Sequence, residues 1–493
     1  MAGLPVDAGP PVYGQFLGGQ WRAADSGRLF ADHDPWSGEV VAQMAAGGPE
    51  DARLAVEFAH DALPAWSHSA PAERQAIFLT AAEVLARRRA EVMGWLAAET
   101  GCGHDFGAIQ LDFALSLLRQ AAGAPYNAVG QVIPSDLHGS LAMAVRRPVG
   151  VVAAIAPWNA ALVLSGRAIA APLALGNTLV LKPSEESPWS GGLLWAEIFA
   201  EAGLPDGVLN VVTHAPGEAG AIGDELVAHP WVRRINFTGS TATGRRLAEA
   251  AGRHLKRVVL ELGGQNPLIV LADADLDYAV DAAAYGAFLH QGQICMCARR
   301  ILIERPIADE FLARFAEKTA GLTSGDPRDP RTVIGPLINE YALSMVARRV
   351  DEAVAGGARL LAGGRAVGPC YPATLLADVP PDCELARYET FGPVAIADVV
   401  DSADEAVARA NDSPYGLTAG VLTGDSERGL MLAERLEAGI VHVNDQPIHD
   451  EPQMPFGGVK DSGWGRFGIS FAAEEFTELH WVSVKRRPRE FPF

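Results

Sequence analysis

The chain has 493 residues, more than one hydrophobic core usually organises, so two or three sub-domains are expected. Hydrophobic residues make up 49% and charged residues 20%, a balance that excludes intrinsic disorder and a fibrous protein. Forty basic against sixty acidic side chains leave a net charge of −20, a field that repels phosphate backbones and anionic membranes and argues against nucleic acid or membrane as a partner.

In chain order, Met1 to Tyr13 carries Pro5, Asp7, Pro10 and Pro11 and no basic or apolar region, so a signal peptide is not expected. From about Val56 to Thr100 apolar residues recur at helical spacing (Ile77, Ala81, Val84, Leu85), with Arg87, Arg88 and Arg89 on the wet side. Alternation over Gln131 to Arg147 predicts a hairpin-like excursion. Pro148 to Gly166 has no charge, but Pro157, Trp158 and Asn159 in its middle suit a buried strand, a turn and a helix start better than a membrane span.

From Val149 strands and helices alternate. VGVVAAIAPWN, TLVLKPSEESP, GVLNVVT and RRINFTGST each read as a strand entering a loop, with helices over Ala161 to Leu173, after Ser187-Pro188, and over Thr243 to Ala251. A second set of units runs from about Leu268 to Thr423, so a mostly parallel α/β architecture is predicted. After Gly468 a helical start precedes the strand-like HWVSVK, a late element of the kind that often serves a neighbouring subunit. Five cysteines in so long a chain exclude a disulfide scaffold and make a reducing, cytoplasmic compartment the default.

Three residues stand out for chemistry. Cys295, in Gly292-Gln293-Ile294-Cys295-Met296-Cys297, reads as a small buried hydrophobe, as half of a metal-binding CxC pair, or as a nucleophile approached past a glycine. No second Cys/His cluster follows, so no metal is expected. Glu261 ends an apolar strand beside Gly263 and Gly264, where a carboxylate is either a cap, half of a salt bridge, or at work. With Asn159 as an amide donor, these form a set suited to acyl chemistry at an aldehyde carbon. The dinucleotide fingerprint G-x-G-x-x-G is absent after the first strand. In its place Phe237 to Gly244 runs from a strand end into a helix, where backbone donors and Ser240 are placed to receive a phosphate. Lys182 and Glu185 suit ribose hydroxyls, or are simply solvated charges.

Seven segments in order, APWN (156–159), LKPSE (181–185), FTGST (237–241), ELGG (261–264), GQIC (292–295), ETFGPV (389–394) and MPFGGVKDSG (454–463), resemble the aldehyde dehydrogenase superfamily over about 18–485. The resemblance implies a variant Rossmann NAD-binding domain (1–122 and 145–260), an α/β catalytic domain (261–467) and a β oligomerisation arm (123–144 and 468–493). Members are dimers or tetramers, so the excursion and the tail strand are expected to meet across an interface.

By the same resemblance Cys295 is the nucleophile, Asn159 and the Cys295 N–H the oxyanion hole, and Glu261 the base for deacylation, while Cys297 has no assigned role. Lys182 and Glu185 match adenosine-ribose positions, Ser240 a pyrophosphate contact within the Gly239 to Gly244 turn, Glu389 the nicotinamide ribose, and Trp158 and Phe391 the cofactor's surroundings. Glu185 would repel a 2′-phosphate, so NAD is expected, with NADP possible through Lys182. The presence of Glu261 favours hydrolysis over acyl transfer to coenzyme A, and the complete set argues against a non-catalytic binding or structural protein. The segments HQGQICM, 159–178 and 449–468 are most similar to the benzaldehyde, salicylaldehyde and vanillin dehydrogenase branch. Leu162, Ile294, Met296 and Phe456 would line a flat apolar pocket, with a broad or aliphatic specificity as the alternative. Arg167, eight residues after Asn159, can face the same cavity, its partner being either a buried carboxylate or the substrate itself.

Overall fold

The computed structural model describes residues 9–493; Pro5 and Asp7, cited above against a signal peptide, lie outside the described residues. Four long helices precede the excursion: Pro49–Ser67, Pro71–Arg87, Arg89–Thr100 and His104–Ala121. The first begins before Val56 because its opening turn is polar. Pro49 takes the first helical position, and the Asp51 carboxylate accepts the Gly48 N–H at 2.9 Å. The fourth was not read from the sequence. It buries Phe106, Leu111, Ala114 and Leu118 and packs against the helix Ala161–Ala174, which leaves the Asn159 loop.

Two twisted sheets carry the molecule. The centre of an eight-stranded sheet is parallel, in the order Arg257–Glu261, Val232–Thr238, Val151–Ile155, Thr178–Lys182, Leu209–Val211. These strands are almost wholly buried on both faces, which is why they read as continuous apolar runs rather than alternating ones. Chain order reverses between Val151–Ile155 and Val232–Thr238. Such a switch point leaves a crevice at the carboxyl ends of the strands, the ordinary place for a ligand in open α/β sheets. Gly463–Trp464 pairs antiparallel with Arg257–Glu261, so a segment expected in the second domain completes the first sheet.

The second sheet has seven strands, with Asn266–Val270 and Ala298–Glu304 adjacent and parallel near its middle. The chain crosses from the first sheet to the second through Leu262 to Gln265. Glu261 therefore ends a strand of one sheet while Cys295 precedes a strand of the other.

The third sheet holds the excursion. Gln131–Ile133 pairs with Ser140–Pro148, which pairs antiparallel with Thr477–Lys485 in a register running from Thr477↔Pro148 to Lys485↔Ser140. This corrects the expectation that excursion and tail meet across an interface: they meet within one chain. The expected arm boundary at 144 also falls inside a strand, because alternation continues through Arg147. Among the described residues no helix is long and apolar enough to cross a membrane.

Candidate active site

After the helix Leu276–Phe288 the backbone makes a tight turn in which His290, Gln291 and Gly292 have φ of 50°, 53° and 67°. Positive φ is costly for the first two, and only surrounding bonds hold it. Gln291 Nε2 donates to Gly101 O and Pro336 O, both at 3.0 Å, and Gln293 Oε1 accepts the Ile338 N–H at 3.0 Å. Arg299 donates to the carbonyls of Gly292 and Gly392, tying this turn to the Glu389–Phe391 loop. Gly292 has no alternative, since a Cβ there would lie 2.2 Å from Gly392 O. Asn266 Nδ2 donates to Cys295 O at 2.7 Å and Cys297 O at 2.9 Å. No motif in the sequence marks Asn266, Gln291, Gln293 or Arg299 as functional. Their only signal was polarity inside apolar strands or a buried turn.

The braced loop presents Cys295 partly accessible, while Cys297 is fully buried. Cys295 Sγ is 3.8 Å from Glu261 Oε1. Glu261 is 1% exposed, and its other oxygen has no hydrogen-bond partner. Burial pushes this carboxyl up to about 7, with Arg167 opposing the shift and Glu389 adding to it. Burial, then Glu261 and Glu389, raise the Cys295 thiol well above its ordinary value, and Arg167 opposes that rise. The resting thiol is thus neutral and needs a base, and the carboxyl nearest to it sits close to half-ionised at neutral pH. Asn159, 4% exposed, donates through Nδ2 to Gln293 O at 2.9 Å, which uses one of its two amide protons.

Glu389 is also raised by burial to about 7, with the Gly264 N–H, donated to its Oε1 at 3.2 Å, acting against that rise. A Cβ on Gly263 would fall 2.3 Å from Glu389 Oε2, so the glycine makes room for this carboxylate. Phe391, at φ 51°, meets Trp158 edge-on with ring centres 5.7 Å apart.

Arg167 is 6% exposed and is paired with Asp450, a buried carboxylate rather than the substrate. Its guanidinium also lies over Phe456 at 4.1 Å, with Phe113 and Phe467 at 5.3 and 5.8 Å. Leu162, Ile294 and Phe456 belong to one apolar cluster, against which Cys295, Met296 and Phe113 pack. Leu162 is fully enclosed and reaches no open cavity. A cavity of about 360 Å³ beside this cluster is lined by Ile440, His442, His449, Asp450, Met454 and Phe456 among others. Of these only Phe456 was expected; Ile440 and His442 come from the strand Ile440–Val443, and His449, Asp450 and Met454 from a loop whose path the sequence does not reveal.

A larger cavity of about 780 Å³ opens at the switch point, lined by Trp158, Lys182, Glu185, Gly239 and Ser240 among others. Gly217 and Gly223 border it, with open space where a side chain would stand. One expectation needs correction. Gly244 does not border the cavity: it packs on Leu262, where a Cβ would lie 2.5 Å from Leu262 Cδ2. The Ser240 hydroxyl caps the helix Thr241–Arg253, accepting from Thr243 N at 3.3 Å, and keeps its own proton, so it borders the cavity as a donor beside the backbone N–H groups of this turn. The donors, carboxylate and open glycines fit a dinucleotide.

Residues 21–482 match the aldehyde dehydrogenase family. The chain belongs to that family. A vanillin dehydrogenase of Pseudomonas fluorescens is 47% identical over 476 residues, covering 97% of this chain and 98% of that protein. A benzaldehyde dehydrogenase [NAD(+)] of Pseudomonas putida is 43% identical, covering 98% and 99% of the two chains. The crystal structure of a salicylaldehyde dehydrogenase from Pseudomonas putida G7 complexed with salicylaldehyde superposes with a TM-score of 0.95 at 39% identity, covering 98% of this chain and 100% of that one. The fold is accordingly the α/β aldehyde dehydrogenase fold, and the protein is an NAD(P)-dependent aldehyde dehydrogenase.

Proposed function

We propose that this enzyme oxidises aromatic aldehydes of the benzaldehyde and vanillin kind to carboxylic acids, with NAD as the preferred acceptor. The observation that carries the chemistry is the approach of Cys295 Sγ to Glu261 Oε1 at 3.8 Å inside a buried apolar cluster. Glu261 takes the thiol proton, and the thiolate attacks the aldehyde carbon. The remaining Asn159 amide proton and the Cys295 N–H hold the negative oxygen of the thiohemiacetal. The nicotinamide group, when bound, supplies the two-electron acceptor. Glu261 gives the thiol proton up to solvent, then takes one from the water that hydrolyses the thioester and returns it to the sulfur, releasing the acid and restoring the thiol. A nucleophile that must stay a thiol suits a reducing, cytoplasmic compartment.

For the cofactor, Lys182 and Glu185 would meet the adenosine ribose, the Gly239–Ser240 turn the pyrophosphate, and Glu389 the nicotinamide ribose, with Trp158 and Phe391 beside the ring. The cofactor domain is read as the eight-stranded sheet with its helices, and the catalytic domain as the seven-stranded one. The aromatic specificity rests on Phe456, Ile294 and Met296 beside the thiol and on the relatives' substrates. Comparing kcat/KM for benzaldehyde, vanillin and salicylaldehyde with acetaldehyde and propanal, using both NAD and NADP, tests it. A preference for short aliphatic aldehydes overturns the substrate reading.

Self-association through the third sheet is a second part of this proposal. Ile133, Leu479 and Trp481 are 46%, 56% and 84% exposed on one face of it, an apolar surface that a second copy would cover. Trp481→Glu should shift the mass measured by light scattering toward the monomer; a wild-type monomer would end the idea.

A further inference from the structure

Lys182 and Glu185 make no direct ion pair, because a histidine stands between them. His214 follows the strand Leu209–Val211, and its side chain is fully enclosed. Its Nδ1 lies 3.0 Å from Ala215 O, a bond that places the proton on Nδ1 and the lone pair on Nε2. That lone pair accepts from Lys182 Nζ at 2.6 Å and sits 3.8 Å from Glu185 Oε2. Lys182 Nζ gives a second proton to Pro183 O at 3.1 Å. An ammonium has three donors, so one is left for the cavity.

We propose that His214 sets cofactor choice: by occupying a Lys182 donor and holding ammonium and carboxylate apart, it matches the site to a free ribose 2′-hydroxyl and against a 2′-phosphate. The proposal rests on reading the switch-point cavity as the cofactor site. One donor beside one uncancelled carboxylate suits a hydroxyl, which both accepts and donates. A 2′-phosphate carries up to about two negative charges and calls for several donors. The other charges lining the cavity, Asp224 and Arg246, are one of each sign and do not tip the balance. Without the imidazole, either the second Lys182 proton turns to the cavity or Lys182 pairs with Glu185 directly. The first adds a phosphate donor and the second cancels the repelling carboxylate, so both relax discrimination.

The test is calorimetric titration of the purified enzyme with NAD and with NADP, read as the ratio of the two dissociation constants. His214→Phe and His214→Leu both remove the acceptor with different packing, so whichever folds serves. The ratio, NADP over NAD, should fall by about tenfold, the scale of one charge-assisted hydrogen bond. His214→Gln, whose side-chain oxygen can accept from Lys182, should keep it within about threefold of wild type. An unchanged ratio in the Phe or Leu variant, with NAD still bound, overturns the role of His214 and leaves the cofactor site standing. Undiminished NAD affinity in Lys182→Met overturns the cofactor-site reading, and this proposal with it.

Discussion

Cys295 and Glu261 face each other across the junction of two sheets, 3.8 Å between sulfur and oxygen, though 34 residues separate them in the chain. Cys295→Ala should abolish aldehyde oxidation. Cys297→Ala should leave most of it, because that side chain is fully buried. An inactive Cys297→Ala that keeps its fold would move the nucleophile. Glu261→Gln should lose both the pre-steady-state burst of reduced cofactor and steady-state turnover, since the base that takes the thiol proton is gone. A burst that survives in this variant would confine Glu261 to thioester hydrolysis.

Burial raises Glu261 from its ordinary 4.5 to about 7, so the proposed base is protonated below that pH. Turnover should rise with pH through about 7, and Glu261→Gln should lose that limb. The sign for stability is opposite. A carboxyl raised in the fold binds its proton more tightly there than in the unfolded chain, so its contribution is full below 4.5 and is lost as pH rises to about 7. Melting temperature of Glu261→Gln relative to wild type should therefore climb over that window.

The Arg167–Asp450 pair is nearly closed to solvent, at 6% and 10% side-chain exposure. Removing one partner leaves a buried charge, at a cost of about 3–5 kcal/mol. Arg167→Leu and Asp450→Leu should each lower the melting point strongly, and the double variant should recover part of the loss. Arg167 also lies over Phe456 and opposes the upward shift of Glu261. The single variant should therefore move the pH midpoint of turnover upward as well, which a purely structural role would not do.

Asn266 holds the carbonyls on both sides of Met296, the neighbour of the proposed nucleophile Cys295. Asn266→Ala should lower kcat by about tenfold to a hundredfold with little change in NAD affinity, since misplacing the thiol by about 1 Å costs on that scale. Equal loss in both quantities would mean the whole loop has collapsed.

Benzaldehyde-type substrates should exceed acetaldehyde in kcat/KM by at least about tenfold, the scale of one or two kcal/mol of pocket burial. Phe456→Ala should narrow that ratio, because Phe456 both lines the open cavity and packs with the cluster at Cys295. An unchanged ratio would place the ring of the substrate elsewhere.

The local chemistry was legible in the sequence. Apolar runs such as Val151–Ile155 and Thr178–Lys182 announced buried parallel strands because both of their faces are covered. Motif residues such as Cys295 and Glu261 stood where glycines and strand ends leave room. Three things were decided only by tertiary structure. The partner of Arg167 was one, because Asp450 is far along the chain in a loop with no periodicity. The pairing of Ser140–Pro148 with Thr477–Lys485 within one chain was another, because strand alternation names a face but never a neighbour. The last was the bracing of the Cys295 loop by Asn266, Gln291 and Arg299 and the wedge of His214 between Lys182 and Glu185. A buried polar side chain is written in the sequence as a residue type, but the bond that makes its burial affordable depends on which distant backbone the fold brings to it.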